Sequence, residues 1–519
     1  MNIFADVKHR DKVLLYFPRL VDPKVASARK PAEPISVMTL ADHLESQGFK
    51  AAIYDNRVDD DIEGTLDAVG DELLCVGISA MGGYQVVDGY EFSKLVKKKF
   101  PHVPVVWGGA APSSLPQQFL DNPYIDVVVK GQGEQLFPEL AATFRDGASI
   151  QGLMGISYKD NGKIIHEPMR PLAPIENNLP IDYSRIDASR YSIGDGWIQY
   201  GTSFGCPYSC AFCGLATYFE RTWFCLSADR VVRELKAVDE VYGLKRVAFW
   251  DATFFVDIER VKQILKGFIR EGMEFSWTAR AQVKQVVKFD DEVIELLAAT
   301  RCRYTMVGVE SGSQRLRKLF RKDFDYDRLI TALDKMARVD IPVRAMYIFA
   351  PPEENREDFL KTIRSMTQVQ KLNPRNLVSM FQYTPIPGTE LGDKEPEKIG
   401  PVPGHIDDWD SYYKKQIVRS MQPWLQPKDH LGRQPIAFYW HAALCMKLRP
   451  ALNRWFFRLP LGAIKTVAAL RLKLEVFVFP LEWYIYRIFR GFYVKLSRLA
   501  GKKPRTPKQK AEMQPGDFP

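Results

Sequence analysis

The stretch "GTSFGCPYSCAFCG", residues 201–214, places three of the chain's seven cysteines, Cys206, Cys210 and Cys213, within eight residues. Thiolates hold soft metals and iron–sulfur clusters. A closed structural zinc site takes four ligands, so three is one short. Gaps of three and then two residues curl the loop around one centre, helped by Pro207 and the flanking Gly205 and Gly214. Three thiolates can hold three irons of a [4Fe–4S] cube and leave the fourth iron open to another ligand. The zinc alternative needs a fourth protein ligand, and its candidate is Cys225, expected at a helix start. The remaining cysteines, Cys75, Cys302 and Cys445, are solitary and the total is odd, so no disulfide framework is implied. A reducing cytoplasm fits that usage.

The flanks of this loop set the fold. "WIQYGTS" (197–203), "RVAFWDA" (246–252), "FSWTARA" (275–281), "YTMVGVE" (304–310), "VRAMYIF" (343–349) and "NLVSMFQYTP" (376–385) read as strands. Helical patterns such as "SADRVVRELKAVDEVYG" (227–243), "DIERVKQILKGFIREG" (257–272) and "YDRLITALDKMARVD" (326–340) lie between them. Repeats of roughly 30 to 45 residues suit βα units, and six of them imply a parallel barrel, complete or partial. Active residues of such barrels sit at the carboxyl ends of strands, where Cys206 falls.

Upstream the same alternation occurs on its own. "KVLLYF" (12–17), "AAIYD" (51–55), "LLCVGIS" (73–79), "VPVVWGG" (103–109) and "IDVVVKGQGE" (125–134) are strand-like, with helical segments between them. That pattern predicts a doubly wound parallel sheet, whose ligands bind outside the carboxyl ends of the strands. Those ends carry Ser79, Gly82, Gly83, Gly108, Gly109, Gly131 and Gly133. As a set they would let backbone approach a large flat ligand or a phosphate; singly, each serves equally as a turn residue. "GISYKDNGKIIHE" (155–167) reads as a hairpin, followed by a linker rich in Pro, Asn and Asp.

At this point the chain resembles the radical S-adenosylmethionine (SAM) enzymes. "CPYSCAFC" matches their CxxxCxxC motif, with Phe212 where an aromatic is common. The resemblance implies that Cys206, Cys210 and Cys213 hold a [4Fe–4S] cluster and that SAM completes it. It further implies that Phe212, Asp251 in "FWDATFF", Arg280 in "WTARA" and Glu310 in "VGVESG" lie about SAM. "YIFAPPEENREDF" is similar to the family's fifth-strand segment but has Ala350 and Pro352 where glycines are usual, which puts that backbone contact in question. "YTPIPGTEL" is similar to the sixth-strand element. The first sheet resembles the cobalamin-binding domain of the B12-dependent subgroup, through "LADHLESQGFKAAIYD", "VVWGGAAPSS" and "IDVVVKGQGEQLFPEL". Ser79, Met81, Gly82, Gly108, Gly109, Gly131, Gly133 and Glu134 are the positions it implies for cobalamin. There is no Asp-x-His-x-x-Gly motif, and Ala111 stands where many members have histidine, so cobalt's lower face would meet the 81–84 or 108–112 segments.

The net charge of +9 is a local property: from Lys428 onward there are 18 Lys+Arg against 5 Asp+Glu, and the rest of the chain is mildly acidic. Residues 434–500 interleave those cations with aliphatics and with Trp440, Trp455, Trp483, Tyr484 and Tyr486. No uncharged apolar run is long enough to span a bilayer. The composition predicts helices lying in a membrane interface. Nucleic acid suits so aliphatic a segment poorly, and a helical cap on the barrel is the plainer alternative. The N-terminal residues lack the apolar run of a signal peptide.

The expected organisation is α/β: a cobalamin-binding sheet (1–150), a linker and hairpin (151–190), a radical SAM partial (β/α)6 barrel (191–425), a basic–aromatic helical segment (426–500) and a disordered tail (501–519). The resemblance implies a cobalamin-dependent methyltransferase that consumes two SAM per turnover and takes electrons from a flavodoxin or ferredoxin. Overall likeness is greatest to hopanoid C-3 methylases. That points to a membrane lipid substrate and a peripheral site on the inner face of the cytoplasmic membrane. An anaerobic porphyrin-ring cyclase and a membrane-bound cobalamin or iron–sulfur sensor are the alternatives.

Overall fold

The computed structural model describes residues 5–23, 30–215, 219–386, 389–394, 406–409, 433–445, 455–477 and 480–485. They divide into two compact units, drawn from Met1–Ser209, Cys213–Ser276 and Pro396–Lys415 and from Cys210–Phe212, Trp277–Glu395 and Gln416–Pro519.

The first unit opens with strands Lys12–Phe17 (β1), Lys50–Asp55 (β2), Leu73–Ser79 (β3), Val105–Gly108 (β4), Val127–Val129 (β5), Ile156–Asp160 (β6) and Lys163–His166 (β7). They form one sheet in the order β2-β1-β3-β4-β5-β6-β7. The first five run parallel. Consecutive residues Val13, Leu14 and Leu15 are all fully buried, so both faces of the sheet are covered. This is why these strands read as continuous apolar runs rather than as alternating ones. β6 and β7 add antiparallel, joined by Asn161 and Gly162, both at positive φ, the turn chemistry that an Asn-Gly pair favours. The same unit holds Trp197–Tyr200 (β8), the short Ser203–Gly205 (β9) and Trp223–Cys225 (β10), and Arg246–Phe249 (β11). β8 and β11 pair in parallel. Helix Ile258–Arg270 follows β11, its first turn capped by Asp257, which accepts from the Arg260 N–H.

In the second unit, Ser276–Gln282 (β12), Cys302–Glu310 (β13), Val343–Phe349 (β14) and Leu377–Gln382 (β15) pair in parallel in chain order. Helices Asp291–Ala299, Tyr326–Arg338 and Arg356–Leu372 connect them. The last of these starts at a reciprocal cap between Asn355 and Asp358.

The C-terminal part of this unit is helical: Arg433–Trp440 continues as a π turn, His441–Cys445, and is followed by Trp455–Leu474. Helix Arg433–Trp440 packs on Arg356–Leu372 and on Trp455–Leu474. Glu475 receives a bidentate pair from Arg364 at 2.5 and 2.7 Å. Glu482 accepts from Tyr439 Oη at 2.7 Å and pairs with Arg471, whose guanidinium lies over the Tyr439 ring. Trp440 and Trp483, expected at a membrane boundary, are instead buried along with Phe438 and Tyr439. Their rings complete the packing of this subdomain, which a composition-based reading could not distinguish from a lipid-facing role. The Trp455 side chain, Tyr486 and the tail beyond Gly501 lie outside the described residues.

Candidate active site and cofactor-binding edges

β8 ends at Tyr200, and the chain turns through Thr202 into the cysteine loop. β9 pairs antiparallel with β10, placing Gly205 opposite Trp223. Gly205 has φ +80°, and a Cβ there would lie 2.1 Å from the Thr222 carbonyl oxygen, so the tight turn requires glycine. Cys206 donates its N–H to that same oxygen at 3.1 Å. Cys206 is buried, Cys210 and Cys213 are half-buried, and none of the three is in a disulfide. Within the second unit Ala211 N–H donates to the Phe320 carbonyl, and Leu391 N–H donates to that of Ala211. Phe212 stands edge-on to Phe320, ring centroids 5.4 Å apart. The loop is thus held by backbone hydrogen bonds at Cys206 and Ala211. A donor set of three thiols in one short loop fits a [4Fe–4S] cluster.

Cys225, expected at a helix start, lies instead in β10, opposite Ser203. The helix begins only at Ala228, because the aromatic pair Trp223–Phe224 extends along β9 first. Among the described residues no three His, Cys, Asp or Glu side chains converge as ligands of a single ion would. Thiolates on separate irons of a cube stand wider apart than that.

Asp251 follows β11 and is 1% exposed. Its carboxylate accepts from Thr202 N–H at 3.1 Å, from Thr202 Oγ1 at 2.7 Å and from Ser203 Oγ. Arg260 completes the frame: its Nη2 donates to the Thr202 carbonyl at 3.0 Å and its Nε to that of Leu226 at 2.7 Å. Thr202 is therefore gripped by an acid at its amide and hydroxyl and by a base at its carbonyl, four residues before Cys206. Burial pushes the Asp251 carboxyl above its ordinary range, while Ser203, Thr202 and Arg260 pull it back.

In the second unit Arg280 is half-buried on β12. Glu310 ends β13 at φ +63° and is 7% exposed. Lys322 Nζ meets its Oε1 at 2.6 Å, both side chains largely withdrawn from water. Gly308 makes room for the pair: a Cβ there would fall within 2.6 Å of both Glu310 Oε1 and Lys322 Nζ. Ala350, standing where glycine is usual, keeps the glycine-like backbone, φ +57°, and its N–H donates to Glu354 Oε2 at 2.9 Å. The expected backbone shape survives, with the strain of an L-residue in the left-handed region, about 1 kcal/mol. Ala350→Gly is therefore expected to leave unfolding free energy within about 1 kcal/mol of the parent. Ala350→Val, β-branched at positive φ, is expected to lose about 2 kcal/mol. Urea denaturation of the two variants checks the pair.

At the carboxyl ends of β3, β4 and β5 the backbone is shaped for close approach. Gly82, Gly109 and Gly131 have φ of +146°, +97° and +81°. A Cβ at Gly109 would lie 2.5 Å from the Ala80 carbonyl oxygen. Ser79 Oγ donates to Ser36 Oγ, and Met81, 72% exposed, anchors its N–H on the Gln85 side chain. Gly131 N–H donates to Ser113 Oγ. Gly108 and Gly133 are half-buried beside them, and Glu134 Oε2 is buried with no hydrogen-bond partner. A thioether standing in water beside glycine loops and an unsatisfied carboxylate oxygen fit a large amide-bearing corrinoid.

Comparison with known proteins agrees with this geometry. Residues 200–366 match the radical SAM superfamily and residues 22–141 the B12 binding domain. A structure of the radical SAM methyltransferase TsrM from Kitasatospora setae, with cobalamin and [4Fe–4S] cluster bound, superposes with a TM-score of 0.64 at 20% identity. The match covers 76% of this chain and 79% of that one. An uncharacterised methyltransferase of Pyrococcus horikoshii is 32% identical, over 61% of this chain and 68% of its own length. The hopanoid C-3 methylase of Methylococcus capsulatus is 24% identical, over 71% of this chain and 69% of its own length. The chain belongs to the cobalamin-dependent radical SAM methyltransferases. Its cofactors are a [4Fe–4S] cluster, SAM and cobalamin.

Four participants were not legible beforehand: Thr202, Ser203, Arg260 and Lys322. Thr202 and Ser203 sit in the quoted loop, yet only the fold brings Asp251 to them. Arg260 is one of several cations in an amphipathic helix, and nothing in the spacing marks it as buried. Trp250 and Phe204 are exposed aromatics, at 53% and 42%, flanking Asp251 and Ser203.

Proposed function

We propose that the chain methylates an unactivated carbon of a membrane polycyclic lipid, a hopanoid at C-3 of ring A, consuming two SAM per turnover. The observation that carries an apolar substrate is two exposed aromatics, Phe204 within β9 of the cysteine loop and Trp250 directly after β11. The likeness to the hopanoid C-3 methylase supports the lipid class. Cobalamin is assigned to residues 1–150 and the radical chemistry to residues 191–425. The basic C-terminal segment would hold the enzyme at the membrane's inner face, with a flavodoxin or ferredoxin as reductant.

When bound, these groups supply a substrate-carbon radical and a transferable methyl group. The chain's residues place them. Cys206, Cys210 and Cys213 hold three irons. Asp251 and Arg260 fix the loop's entry, and the Glu310–Lys322 pair with Arg280 orients SAM's polar groups. Phe212 stiffens the loop through Phe320. The glycine turns after β3, β4 and β5, with Met81 and Glu134, receive cobalamin.

Incubating reconstituted enzyme with SAM, a low-potential reductant and a hopanoid is expected to yield S-adenosylhomocysteine, 5′-deoxyadenosine and a hopanoid heavier by one methyl. Deoxyadenosine without S-adenosylhomocysteine would point to the cyclase-type reaction. S-adenosylhomocysteine with no change in the hopanoid would move the search to other substrates.

A further inference from the structure

The helix Trp455–Leu474 is amphipathic in the wrong sense for a water-facing element. Ala468 is buried, whereas Ala463, Val467, Leu470 and Leu474 are exposed. Positions 463, 467, 470 and 474 recur at helical spacing and share one stripe. Leu470 is 54% and Leu474 59% exposed, so aliphatic rather than polar side chains meet solvent. The stripe continues past the helix: Val476, Tyr484 and Ile485 are exposed, and Leu481 is 64% exposed. Seven exposed large hydrophobics fall within 19 residues, a density unlike the scattered single ones normal on a protein surface.

The patch is held rigidly. Glu475, beside Leu474, is locked by the bidentate Arg364. Glu482, beside Leu481, is fixed by Tyr439 and Arg471. These ion pairs lie on the side of the segment that faces the unit, leaving the aliphatic side outward. One cation borders the stripe: Lys473, one position before Leu474, is exposed. The charge of the whole segment from Lys428 on, 18 Lys+Arg against 5 Asp+Glu, is complementary to an anionic lipid surface. Among the described residues no helix is long and apolar enough to cross a membrane, so a surface-lying geometry is the one the patch can adopt.

We propose that the stripe Val467–Leu470–Leu474, extended by Leu481 and Ile485, is the face that inserts into an anionic bilayer leaflet, with Lys473 at its headgroup border. This rests on the membrane reading above and replaces its aromatic anchors: Trp440 and Trp483 are internal, and aliphatic side chains enter the lipid.

The test is sedimentation of the full chain with phosphatidylglycerol-rich vesicles and with pure phosphatidylcholine vesicles. The parent protein is expected to sediment with the anionic vesicles and far less with the zwitterionic ones. Leu470→Glu combined with Leu474→Glu is expected to lower anionic-vesicle partition on the order of tenfold or more. Val467→Ser with Leu481→Ser, a milder pair, should give a smaller loss in the same direction should the charged pair not fold. If the parent does not sediment at all, the membrane reading falls and this face with it. If the parent sediments and both variants sediment equally well, the face is wrong while the membrane reading stands. A parent that is dimeric and vesicle-free, and that becomes monomeric on substitution, would assign the patch to a second copy of the chain.

Discussion

Cys206→Ala is expected to produce no 5′-deoxyadenosine and to bind little iron while remaining folded. The backbone N–H of Cys206 holds the loop to the Thr222 carbonyl, and the substitution leaves that bond in place. Removing one buried sulfur leaves a small void, about 1 kcal/mol, within what a two-unit chain tolerates. The cluster has no such margin, because three thiolates already leave one iron open and two would leave a second. Cys210→Ala and Cys213→Ala should behave alike. Cys225→Ala and Cys302→Ala serve as contrasts. Burial pushes the Cys302 thiol up to about 12, and desolvation also raises that of Cys225. Both should stay protonated, and their alanine variants should keep iron and activity. Iron analysis with the electron paramagnetic resonance signal of the reduced cluster decides the matter. Full activity in any of the three loop variants would overturn the cluster assignment, and loss of metal in Cys225→Ala would restore zinc.

Asp251→Asn is expected to be the most damaging substitution outside the cysteines. The carboxylate receives two hydroxyls and one backbone N–H. An amide offers one oxygen in place of two, turns an NH2 toward donors, and removes one of the negative charges near the buried Arg260. Losing one side of such a buried network costs about 3 kcal/mol. Because the strained element is the run from Thr202 to Cys206, the variant should also show an altered cluster signal and reduction potential, which a remote destabilising change would not produce. Thr202→Ser, which keeps the hydroxyl, should be nearly silent. The pH dependence has a definite sign. Burial raises the Asp251 carboxyl above its ordinary value of 3.8, so the folded state holds this proton more tightly than the unfolded chain does. The stability it contributes is complete below that value and declines as pH rises through the folded-state range. Asn cannot titrate, so the gap between parent and variant narrows over that rise. Denaturant unfolding of both proteins at several pH values above 4 measures it; a gap that widens would mean that burial does not dominate.

The two α/β parts were legible because their strands read as short apolar runs broken by amphipathic helices, most plainly where a strand is buried throughout, as in Cys302–Glu310. All six strands expected after residue 196 are present. The β9–β10 pair was not foreseen, because three-residue strands carry too little pattern to separate from a loop. It moved Cys225 out of the helix. Two of the expected aromatic anchors, Trp440 and Trp483, are buried while Tyr484 is exposed, because composition says that a tryptophan prefers to leave water, not whether it enters lipid or a neighbouring helix. Ala350 shows the converse, since the sequence departs from the familiar glycine while the backbone keeps the glycine's φ.

Residue order alone settles what is local: the thiol spacing around one centre, the glycines that allow positive φ after each strand, the periodicities of strand and helix, and the charge gathered after Lys428. These depend on a few neighbouring residues and so are written along the chain. What required the folded chain is every partnership across tens of residues: Asp251 with Thr202, Arg260 with the same peptide, Lys322 with Glu310, Arg364 with Glu475. Each pairs side chains whose ordinary fate is solvent, and burial converts them from surface charges into the frame of a site. The same holds for the outward aliphatic stripe of Trp455–Leu474, since which side of a helix faces water depends on what packs against the other side.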